Sequence, residues 1–584
     1  MHKTSSPYLK ELYKGKIKWM PFNIRTLKHA LHTDKIIFTH IGRIADIEAR
    51  ERAYALFRNP QVIEIINSNF IPIAIDLEDV PEAMLIGMDL LIITDQYHSL
   101  PINIFSLPGG KPFTSFSGIS PDSFINIANN VITSFSEKRE LLNKAGKIVS
   151  KRLEGTGIVL EKQKPYPITH KLLHAYVRSW LSRYVTSRKR QRETPYTINS
   201  RYFIFLLKYC QQYKRMEELE FIRKALDKVY FSPIFDPIEG GLFSQADDNT
   251  FATPLYEKEL SENIQAAVLY SFAYKYFKKP IYKEAVLKII SCIENCFKAY
   301  PGGYITSITL TKYPHLSTYY KYSTDEIKKA FPKNYLYIIS ILGMDETLPP
   351  NEQQTIRNTG AAGELTQSDI TKLKKIRGYK RSELINDPRV ITAYNCLYAT
   401  SLCLIANNLQ ENMGTYIEKA QEIIGNILEK RGNEKTRLYR YISKQLNEQA
   451  NADLLDYSFF LNALLHIYRY TKEERYNKLI SQYTMFIMLN YYKSSNGMFC
   501  KTPKNEHITP FKRESVIDYI RYSANSVMAR NLWILYRTRK DDFYLKTFEQ
   551  QLYNVAPQII GTGPLMVGWA LQILNYICDK SDFD

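Results

Sequence analysis

The pattern of hydrophobic and polar residues changes once along this chain. Up to about residue 140, continuous apolar runs that are typical of buried strands alternate with segments of helical periodicity. From about residue 168 onward, apolar residues recur at helical spacing, and the only strands that the pattern predicts are short. The pattern therefore predicts an α/β domain at residues 1–140, a linker at 141–166 and a helical domain at 167–584.

The elements predicted before residue 140 follow the order of one particular α/β topology. Apolar runs predict strands at residues 35–42, 70–76, 101–107 and 111–117. The last two are joined through Pro108-Gly109-Gly110, a turn signal that makes them a hairpin. Helical periodicity covers residues 46–66 and 121–137. Strand, helix, strand, helix, hairpin and helix is the order of a thioredoxin-like fold, which we predict for this domain.

The second domain is predicted to be all helical. Periodic apolar positions indicate twelve helices, at roughly residues 168–184, 199–213, 216–231, 262–277, 281–298, 389–407, 414–430, 454–471, 473–491, 522–537, 541–554 and 565–577. Three helices are followed by a glycine turn and then by aromatic or apolar residues, in segments 239–243, 301–304 and 496–499. Such a repeat is typical of stacked helical hairpins. Six hairpins predict an (α/α)6 toroid, a fold whose central funnel commonly carries a sugar site.

Composition and charge exclude several classes of protein. The 584 residues contain 78 Lys and Arg against 59 Asp and Glu, a net charge of +19, which suits an acidic partner without naming it. The seven cysteines are scattered with no Cys-x-x-Cys pair, which excludes a disulfide framework, a zinc ribbon and a dithiol redox motif. The longest uncharged stretch, residues 550–578, is interrupted by prolines and glycines and predicts no transmembrane segment.

Location and charged partners are predicted from the same features. The chain starts without an apolar leader, so we expect a cytoplasmic protein. Two basic clusters, residues 188–192 and 372–381, are modest and typical of solvated surface, so we do not expect nucleic acid as a partner. The basic charge leaves peripheral contact with a membrane open.

Short segments spread over nearly the whole chain carry a family resemblance. In the first domain they are Ser6-Pro7-Tyr8-Leu9, Trp19, Pro21, Asp34-Lys35, Ile37-Phe38, Ile41-Gly42, Asn69-Phe70, Asp76, Pro81, Leu100-Pro101 and Gly110-Lys111-Pro112-Phe113. In the second they are Pro254, Tyr256-Glu257-Lys258, Asn263, Asp387, Arg389, Thr392-Ala393-Tyr394-Asn395, Asp456-Tyr457 and Asn525-Ser526. In this order they resemble the thioredoxin-domain-containing proteins of the spermatogenesis-associated protein 20 type. The resemblance implies a thioredoxin-like domain followed by a six-hairpin, glycosidase-like barrel.

The chain departs from this family at the residues that carry chemistry. Where the family has a Cys-His-Trp-Cys-His run at a helix N-terminus, this chain reads Asp46-Ile47-Glu48-Ala49-Arg50. Without a thiol at Asp46 or Ala49 we expect no disulfide exchange by this domain, and Asp46 is predicted to be a helix N-cap. Pro101 falls where thioredoxin-like folds place a cis-proline. In the barrel, the family's Gly-Phe-His-Arg-Tyr segment reads Leu242 to Ala246, so an imidazole and a guanidinium are missing.

Three carboxylates in matched segments are the candidates for catalysis. Glycoside hydrolysis usually needs two carboxyl groups, one of them kept protonated. Glu257, Asp387 and Asp456 are the candidates, although each could equally cap a helix or pair with a neighbouring cation. Candidate substrate-binding residues from the same segments are Tyr256, Lys258, Asn263, Arg389, Asn395, Tyr457 and Asn525.

No cofactor or metal is predicted. His170 and His174 lie one helical turn apart, but no third ligand is evident, and His315, His466 and His507 are isolated histidines. No P-loop, dinucleotide fingerprint or nucleophile elbow is present in the sequence.

Two functions from different classes fit these observations. The first is a non-catalytic binding or scaffolding protein, whose partner is a protein or a carbohydrate ligand. The second is a carbohydrate-active enzyme, either a glycoside hydrolase or a sugar epimerase, that uses carboxylates in the funnel. The placement of Glu257, Asp387 and Asp456 distinguishes them, because two carboxylates facing one cavity favour the enzyme, whereas capping and ion pairing count against it.

Overall fold

The structure is a computed structural model. It describes residues 4–96, 99–156, 161–189, 198–299, 302–360, 363–430, 436–442, 450–503, 514, 516–518 and 521–580. His507 and the cluster at 190–192 lie outside the described residues. The chain forms a thioredoxin-like domain, a ring of helices and a small lobe inserted into the ring.

The first domain is built on a five-stranded mixed sheet. Its strands are β1 (Met20–Pro21), β2 (Ile36–Gly42), β3 (Phe70–Asp76), β4 (Ile102–Ser106) and β5 (Pro112–Phe116), in the spatial order β1-β3-β2-β4-β5. Strands β1, β3 and β2 are parallel, and β4 and β5 are antiparallel to their neighbours. This is the topology predicted for a thioredoxin-like fold. The Leu100–Pro101 peptide bond is cis.

Seven helices cover the two faces of this sheet. They are α1 (Pro7–Tyr13), α2 (Ile24–His32), α3 (Ile47–Arg58), α4 (Pro60–Asn69), α5 (Glu82–Ile93), α6 (Pro121–Glu137) and α7 (Arg139–Glu154). One face packs on α1, α3, α4 and α6 around Phe38 and Phe105, and the other on α2, α5 and α7 around Ile73 and Ile102. Residues 141–154, expected to begin a linker, thus belong to a helix that contacts β5 and α5.

The remaining helices form the ring and the inserted lobe. They are α8 (His170–Lys189), α9 (Ser200–Tyr213), α10 (Met216–Tyr230), α11 (Leu260–Phe277), α12 (Pro280–Cys292), α13 (Thr324–Ala330), α14 (Tyr335–Leu342), α15 (Gln367–Gly378), α16 (Thr392–Leu409), α17 (Met413–Glu429), α18 (Leu454–Thr471), α19 (Glu474–Asn490), α20 (Ala524–Arg539), α21 (Asp542–Thr562) and α22 (Val567–Ile577).

Short strands connect these helices. They are β6 (Lys258–Glu259), β7 (Ser307–Leu310), β8 (Lys321–Tyr322), β9 (Gln354–Thr355), β10 (Leu384–Asp387), β11 (Val390–Ile391), β12 (Tyr439–Ile442), β13 (Ala450–Asn451), β14 (Tyr492–Lys493) and β15 (Met498–Phe499). They pair as β10-β7-β6, β11-β12-β13, β14-β15 and β8-β9.

The helix contacts close into two concentric rings. In the inner ring α9, α11, α16, α18, α20 and α22 each touch the next, and α22 touches α9 again. Helices α10, α12, α17, α19 and α21 each pack outside the inner helix that precedes them, and α8 packs on α22. The predicted (α/α)6 toroid is therefore confirmed. Its inner helices are buried on nearly every side, as α16 illustrates.

Helix α21 extends beyond its predicted end. Apolar periodicity predicted an end at residue 554, before Pro557, whereas α21 continues through this proline to Thr562. Burial of Val555, Ala556 and Ile559 on both sides of the proline outweighs the roughly 3 kcal/mol that an internal proline costs.

The inner helices end in a common way. The residue after α9, α11, α16, α18 and α20 is in the left-handed conformation, and its N–H donates to the carbonyl four residues earlier. These residues are Lys214, Lys278, Gln410, Lys472 and Lys540. Lysine at four of the five ends places a cation at a helix C-terminus, where the macrodipole favours positive charge.

The inserted lobe lies between β7 and β10. Helices α13, α14 and α15 enclose a separate core that includes Tyr322, Phe331, Leu342 and Leu373. The polar segment 351–383 contains α15 and part of this core. None of the helices in the described ranges combines the length and apolar character needed to cross a bilayer.

Candidate functional site at the mouth of the ring

The inner helices begin at one end of the ring, and the thioredoxin-like domain is docked there. Two of its loops, residues 43–46 after β2 and 77–81 after β3, contact residues that precede or open the inner helices. We call this end of the ring the mouth. The mouth contains all three candidate carboxylates.

Glu257 lies at the N-terminus of α3. Asp46 caps α3 by accepting a hydrogen bond from the Ala49 N–H at 2.9 Å, as predicted. Glu257 Oε1 accepts the Ile47 N–H at 2.5 Å, so a carboxyl group of the ring binds the N-terminus of α3. Glu257 Oε2 is buried with no partner among the described residues. Burial and the nearby Asp46 raise the pKa of Glu257 well above its usual value.

Asp387 belongs to a buried ion cluster that joins the two domains. Arg389 Nε and Nη2 donate to the two oxygens of Asp387 at 2.8 and 2.5 Å. The same guanidinium group donates to Asp76 at 2.8 Å and to Asp79 at 2.6 Å, both in the thioredoxin-like domain. Burial raises the pKa of Asp76 to about 7, although Arg389 opposes the shift. Asp387 and Arg389, predicted as catalytic and substrate-binding, are thus bound to each other and to the other domain.

Asp456 lies in the first turn of the inner helix α18, whose N-cap residue is Asp453. It forms a reciprocal capping box with Asp453, accepts the Ala393 N–H at 3.1 Å and lies 3.4 Å from Arg440 Nη1. Burial raises the pKa of Asp456 to about 7 against the charge of Arg440. The third candidate carboxylate therefore links α18 to the start of α16.

Glu78 of the thioredoxin-like domain enters the mouth itself. Its carboxylate accepts hydrogen bonds from Tyr394 Oη at 2.6 Å and Arg521 Nη2 at 2.8 Å, and Arg440 Nε donates to its backbone carbonyl. Burial would raise the pKa of Glu78, but Arg521 and the neighbouring arginines lower it. Glu78 is therefore an ionised carboxylate held by the ring.

A second pair of charges completes this interface. Arg43, in the loop after β2, donates to both oxygens of Glu259 at 2.8 and 2.9 Å, and both side chains are buried. The pairing is bidentate, the arrangement in which Arg–carboxylate contacts are strongest.

Lys258 belongs to a second cluster of buried charges, which connects the ring to the inserted lobe. Its Nζ donates to Asp236 at 2.7 Å and to the Gly240 carbonyl at 2.9 Å. Arg377 of α15 binds both oxygens of Asp236 at 2.8 and 3.0 Å. Burial would raise the pKa of Asp236, but the two cations lower it. Lys258, predicted to bind substrate, thus connects the ring to the inserted lobe.

Three candidate asparagines share one structural role. Asn263, Asn395 and Asn525 each accept a backbone N–H through Oδ1 and donate through Nδ2 to the carbonyl of that same residue. The residues they bind are Leu242, Tyr304 and Phe499, which follow the three glycine turns seen in the sequence. Both ends of each buried amide are therefore occupied by backbone.

Two positions in these turns require glycine, because their backbone has a positive φ and a side chain would collide with neighbouring atoms. Gly241 and Gly303 have φ values of +78° and +90°. A Cβ on Gly241 would lie 2.7 Å from Asn263 Oδ1, and one on Gly303 would lie 2.5 Å from a methyl carbon of Val390. The repeat is thus an asparagine at the start of an inner helix that binds a glycine turn.

The two candidate tyrosines also have structural contacts. Tyr256 stacks on Tyr320 with ring centroids 5.2 Å apart, and its hydroxyl lies 3.1 Å from Thr355 in the inserted lobe. Tyr457 accepts the Leu438 N–H and donates to the Thr436 carbonyl.

The histidines bind tyrosines and backbone. His170 and His174 are hydrogen-bonded to Tyr213 and Tyr209, and His466 Nδ1 lies 2.9 Å from a carbonyl of its own helix. His315 stacks on Tyr313. The described residues contain no group of three potential ligands that could hold a metal ion.

One carboxyl group at the mouth was missed by sequence reasoning. Glu262, in the first turn of α11, lies among Arg201, Arg43, Arg521 and Glu259. Burial raises its pKa to about 7, although the arginines oppose the shift. Its position five residues after Glu257, at the start of an inner helix, is the signal that could have found it.

Glu262 should make stability depend on pH. A carboxyl group with a raised pKa in the folded state stabilises the protein below the pKa of the unfolded chain, and this contribution is lost as pH rises to about 7. Near pH 4.5 we expect Glu262→Gln and the wild type to have the same free energy of unfolding. As the pH rises to 7, the variant should become increasingly more stable than the wild type. Urea unfolding of both proteins across this range measures the difference. A difference independent of pH would contradict the prediction.

Comparisons with known proteins find similarities to one family model and to several proteins. The family described as "Protein of unknown function, DUF255" (Thioredox_DsbH) matches residues 1–154. The uncharacterized protein B0495.5 of Caenorhabditis elegans is 20% identical over 96% of this chain and 83% of its own length. Spermatogenesis-associated protein 20 of Mus musculus is 19% identical over 56% of this chain and 44% of its own length. The chain is thus similar in sequence to spermatogenesis-associated protein 20, at 19% identity.

Two further comparisons concern the length of a relative and the similarity to solved structures. The chain spans less than half the length of the mouse spermatogenesis-associated protein 20 that it matches. Among solved structures, a family 76 glycoside hydrolase from a bovine Bacteroides thetaiotaomicron strain is 9% identical, with a TM-score of 0.41 over 70% of this chain and 77% of its own. A cellobiose 2-epimerase from Bacillus thermoamylovorans is 12% identical, with a TM-score of 0.35 over 55% of this chain and 66% of its own.

Proposed function

We propose that this protein is a non-catalytic binding or scaffolding protein, built from a redox-inactive thioredoxin-like domain and a degenerate glycosidase-like barrel. One observation carries the proposal: Glu257, Asp387 and Asp456 are all buried in caps and ion pairs at the mouth. A general acid or nucleophile must reach its substrate, and carboxyl groups bound in this way do not.

The thioredoxin-like domain supports the same proposal. Its α3 N-terminus, where a reactive thiol would be activated, is bound by Asp46 and Glu257 instead. None of the seven cysteines forms a disulfide bond, which suits a reducing compartment and supports the cytoplasm as the proposed location. The partner is a protein or a carbohydrate, and affinity capture from native cells would identify it.

Substitution of Glu257 tests whether this carboxyl group is structural. We expect Glu257→Gln to change the free energy of unfolding little, because burial raises the pKa of this carboxyl group and favours its neutral form. The glutamine amide is also neutral, and its oxygen can still accept the Ile47 N–H. Glu257→Ala should cost about 2 kcal/mol, since that buried N–H loses its acceptor. Chemical denaturation at pH 7 measures both.

The neighbouring Glu259 provides a matched comparison. Glu259→Gln removes the charge that pairs with Arg43, and we expect it to cost about 3 kcal/mol. A sugar conversion by the wild type that Glu257→Gln abolishes, with stability unchanged, would overturn the proposed function.

A carbohydrate-active enzyme is the second candidate, and Glu262 favours it. A carboxyl group with a pKa raised to about 7 is suited to general acid catalysis. In this alternative Glu262 is the acid of a glycoside hydrolase or epimerase, and Glu262→Gln abolishes turnover.

A further inference from the structure

Helix α7 of the thioredoxin-like domain carries apolar residues on two sides. Val149 and Leu153 are buried on the side that faces the sheet. On the opposite side, Leu141 is 63% exposed and Ile148 is 47% exposed. A spacing of seven residues returns to the same face of a helix, so these two side chains lie on one stripe, two turns apart. Large aliphatic side chains aligned toward solvent in this way are typical of an interaction surface.

The exposed side of α7 is also strongly basic. Residues 141–152 contain no carboxylate and four exposed cations, which are Lys144, Lys147, Lys151 and Arg152. At 3.6 residues per turn, these cations and the two aliphatic residues fall within an arc of about 140°. The described residues provide no ion-pair partner for any of the four cations. Glu140 and Glu154 lie outside this stretch, at the two ends of the helix. The positive charge is therefore available to an external partner.

A second helix on the same face of the sheet has the same combination. Helices α2 and α7 both pack on this face, and Arg139 of α7 pairs with Asp34, which follows α2 closely. Helix α2 contains no carboxylate. Its exposed side chains include Ile24, Arg25, Lys28 and Leu31. The outer surfaces of α2 and α7 therefore point away from the sheet on the same side, and we call them the basic face.

The basic face is held in place by packing. Helix α7 lies close to the hairpin of β4 and β5 at Gly146, where a Cβ would be only 2.9 Å from a methyl carbon of Leu107. Lys111, at the turn of this hairpin, lies beside the same glycine and adds another exposed cation. Because α7 is already folded and docked, a partner that binds its outer side does not have to order the helix first.

The composition of the basic face favours an anionic lipid surface over an acidic protein. Lysine is depleted in protein–protein interfaces, whereas it is enriched on the polar face of helices that lie on membranes. Three of the four cations of α7 are lysines, which act as point charges and need no partner of fixed geometry. Exposed leucine and isoleucine residues can enter the boundary between headgroups and acyl chains. Anionic lipids are concentrated in the cytoplasmic leaflet, which borders the proposed location of this protein.

We propose that the basic face docks this protein on an anionic phospholipid membrane. Leu141 and Ile148 enter the headgroup region, and Lys144, Lys147 and Lys151 lie at the level of the lipid phosphates. The contact is peripheral and sensitive to salt, because it depends on charges at a surface. This inference goes beyond the proposed function, since no residue of the ring takes part in it.

Sedimentation of the full chain with lipid vesicles tests the proposal. One set of vesicles contains phosphatidylcholine alone, and the other contains phosphatidylcholine mixed with phosphatidylserine. At about 0.1 M salt we expect at least about tenfold tighter binding to the mixed vesicles, and at about 1 M salt this preference should disappear. Equal binding to both vesicles, or no binding to the mixed ones, would overturn the proposal.

Two sets of lysine substitutions distinguish the basic face from net charge. The first combines Lys144→Gln, Lys147→Gln and Lys151→Gln, and we expect it to weaken binding to the mixed vesicles at least about tenfold. The control makes the same change at three exposed lysines of the inserted lobe, Lys329, Lys333 and Lys375. It should leave binding nearly unchanged, and circular dichroism checks that both proteins are folded. Equal losses in the two proteins would contradict docking through α7.

The aliphatic residues are tested separately. Leu141→Ser combined with Ile148→Ser should weaken binding about tenfold, because less apolar surface enters the lipid. Met485→Ser combined with Leu489→Ser is the control, since these residues of α19 are equally exposed and lie one turn apart. We expect the control to bind as the wild type does. If the Leu141 and Ile148 variant also binds as the wild type does, no side chain enters the membrane and the proposed docking is wrong.

Poly-L-glutamate tests the alternative occupant. If poly-L-glutamate binds, the three lysine substitutions in α7 abolish this binding, and neither type of vesicle binds, then the basic face takes an acidic protein instead of a membrane. These results are independent of the proposed function. Glu257→Gln leaves the basic face intact, and a sugar conversion by the ring would overturn the non-catalytic function without affecting vesicle binding.

Discussion

Replacing Arg389 with glutamine is expected to lower the free energy of unfolding by about 3–5 kcal/mol, because three carboxylates lose their shared cation. Asp387 and Asp76 are fully buried and cannot be solvated when the guanidinium group is removed. Asp79 is partly exposed and contributes less to the loss. Chemical denaturation at pH 7 measures the change.

The effect should be greatest on the docking of the two domains. We expect faster proteolysis of the connection between α7 and α8 in Arg389→Gln, since this side chain joins the ring to the loop after β3. Arg389→Lys should recover only part of the stability, because an ammonium group cannot make the bidentate contact. Arg381→Gln, at an exposed position nearby, is the control and should leave the denaturation midpoint unchanged. An equally stable Arg389→Gln would show that solvent reaches these carboxylates.

A loss of similar size is expected for Asp236→Asn. This carboxylate is the shared partner of Lys258 and Arg377, both of which are about 1% exposed. Two buried cations would be left near the weaker partner Glu239, and we expect about 3–5 kcal/mol of destabilisation. Because Arg377 lies on α15, hydrogen exchange of residues 367–378 should accelerate more than exchange in the inner ring.

An exposed carboxylate of the same lobe is the matched control. Asp345 accepts local hydrogen bonds from Thr347, and Asp345→Asn should leave both the denaturation midpoint and the exchange of α15 unchanged. Uniform acceleration of exchange throughout the ring in Asp236→Asn would contradict a local role for this cluster.

The helices were predictable because their signal is local. The apolar residues of α18 recur at helical spacing, and its observed bounds, 454–471, are the predicted ones. The end of α21 was missed because burial around Pro557 depends on helices distant in the sequence. Periodicity records which face of a helix is buried and not which neighbour covers it.

The site was predicted less well, since its contacts join residues far apart in the chain. Glu257 was selected as a candidate, but its partner Ile47 is 210 residues away, and Glu259 pairs with Arg43 over 216 residues. Asn263, Asn395 and the glycine turns were each noticed separately in the sequence. That each asparagine binds a glycine turn could not be predicted, because the partners are distant in the sequence. The first asparagine is 21 residues from its partner, and the inserted lobe places the second 91 residues from its partner.

The docking of the first domain on the mouth has a consequence for biosynthesis. The thioredoxin-like domain leaves the ribosome first, and its two cores allow it to fold while the ring is still being made. Its contacts Glu257, Arg389, Arg440 and Arg521 then emerge one after another, at or near the start of successive inner helices. We therefore expect the nascent ring to assemble on a surface that is already folded, so that the first domain templates the rest of the chain.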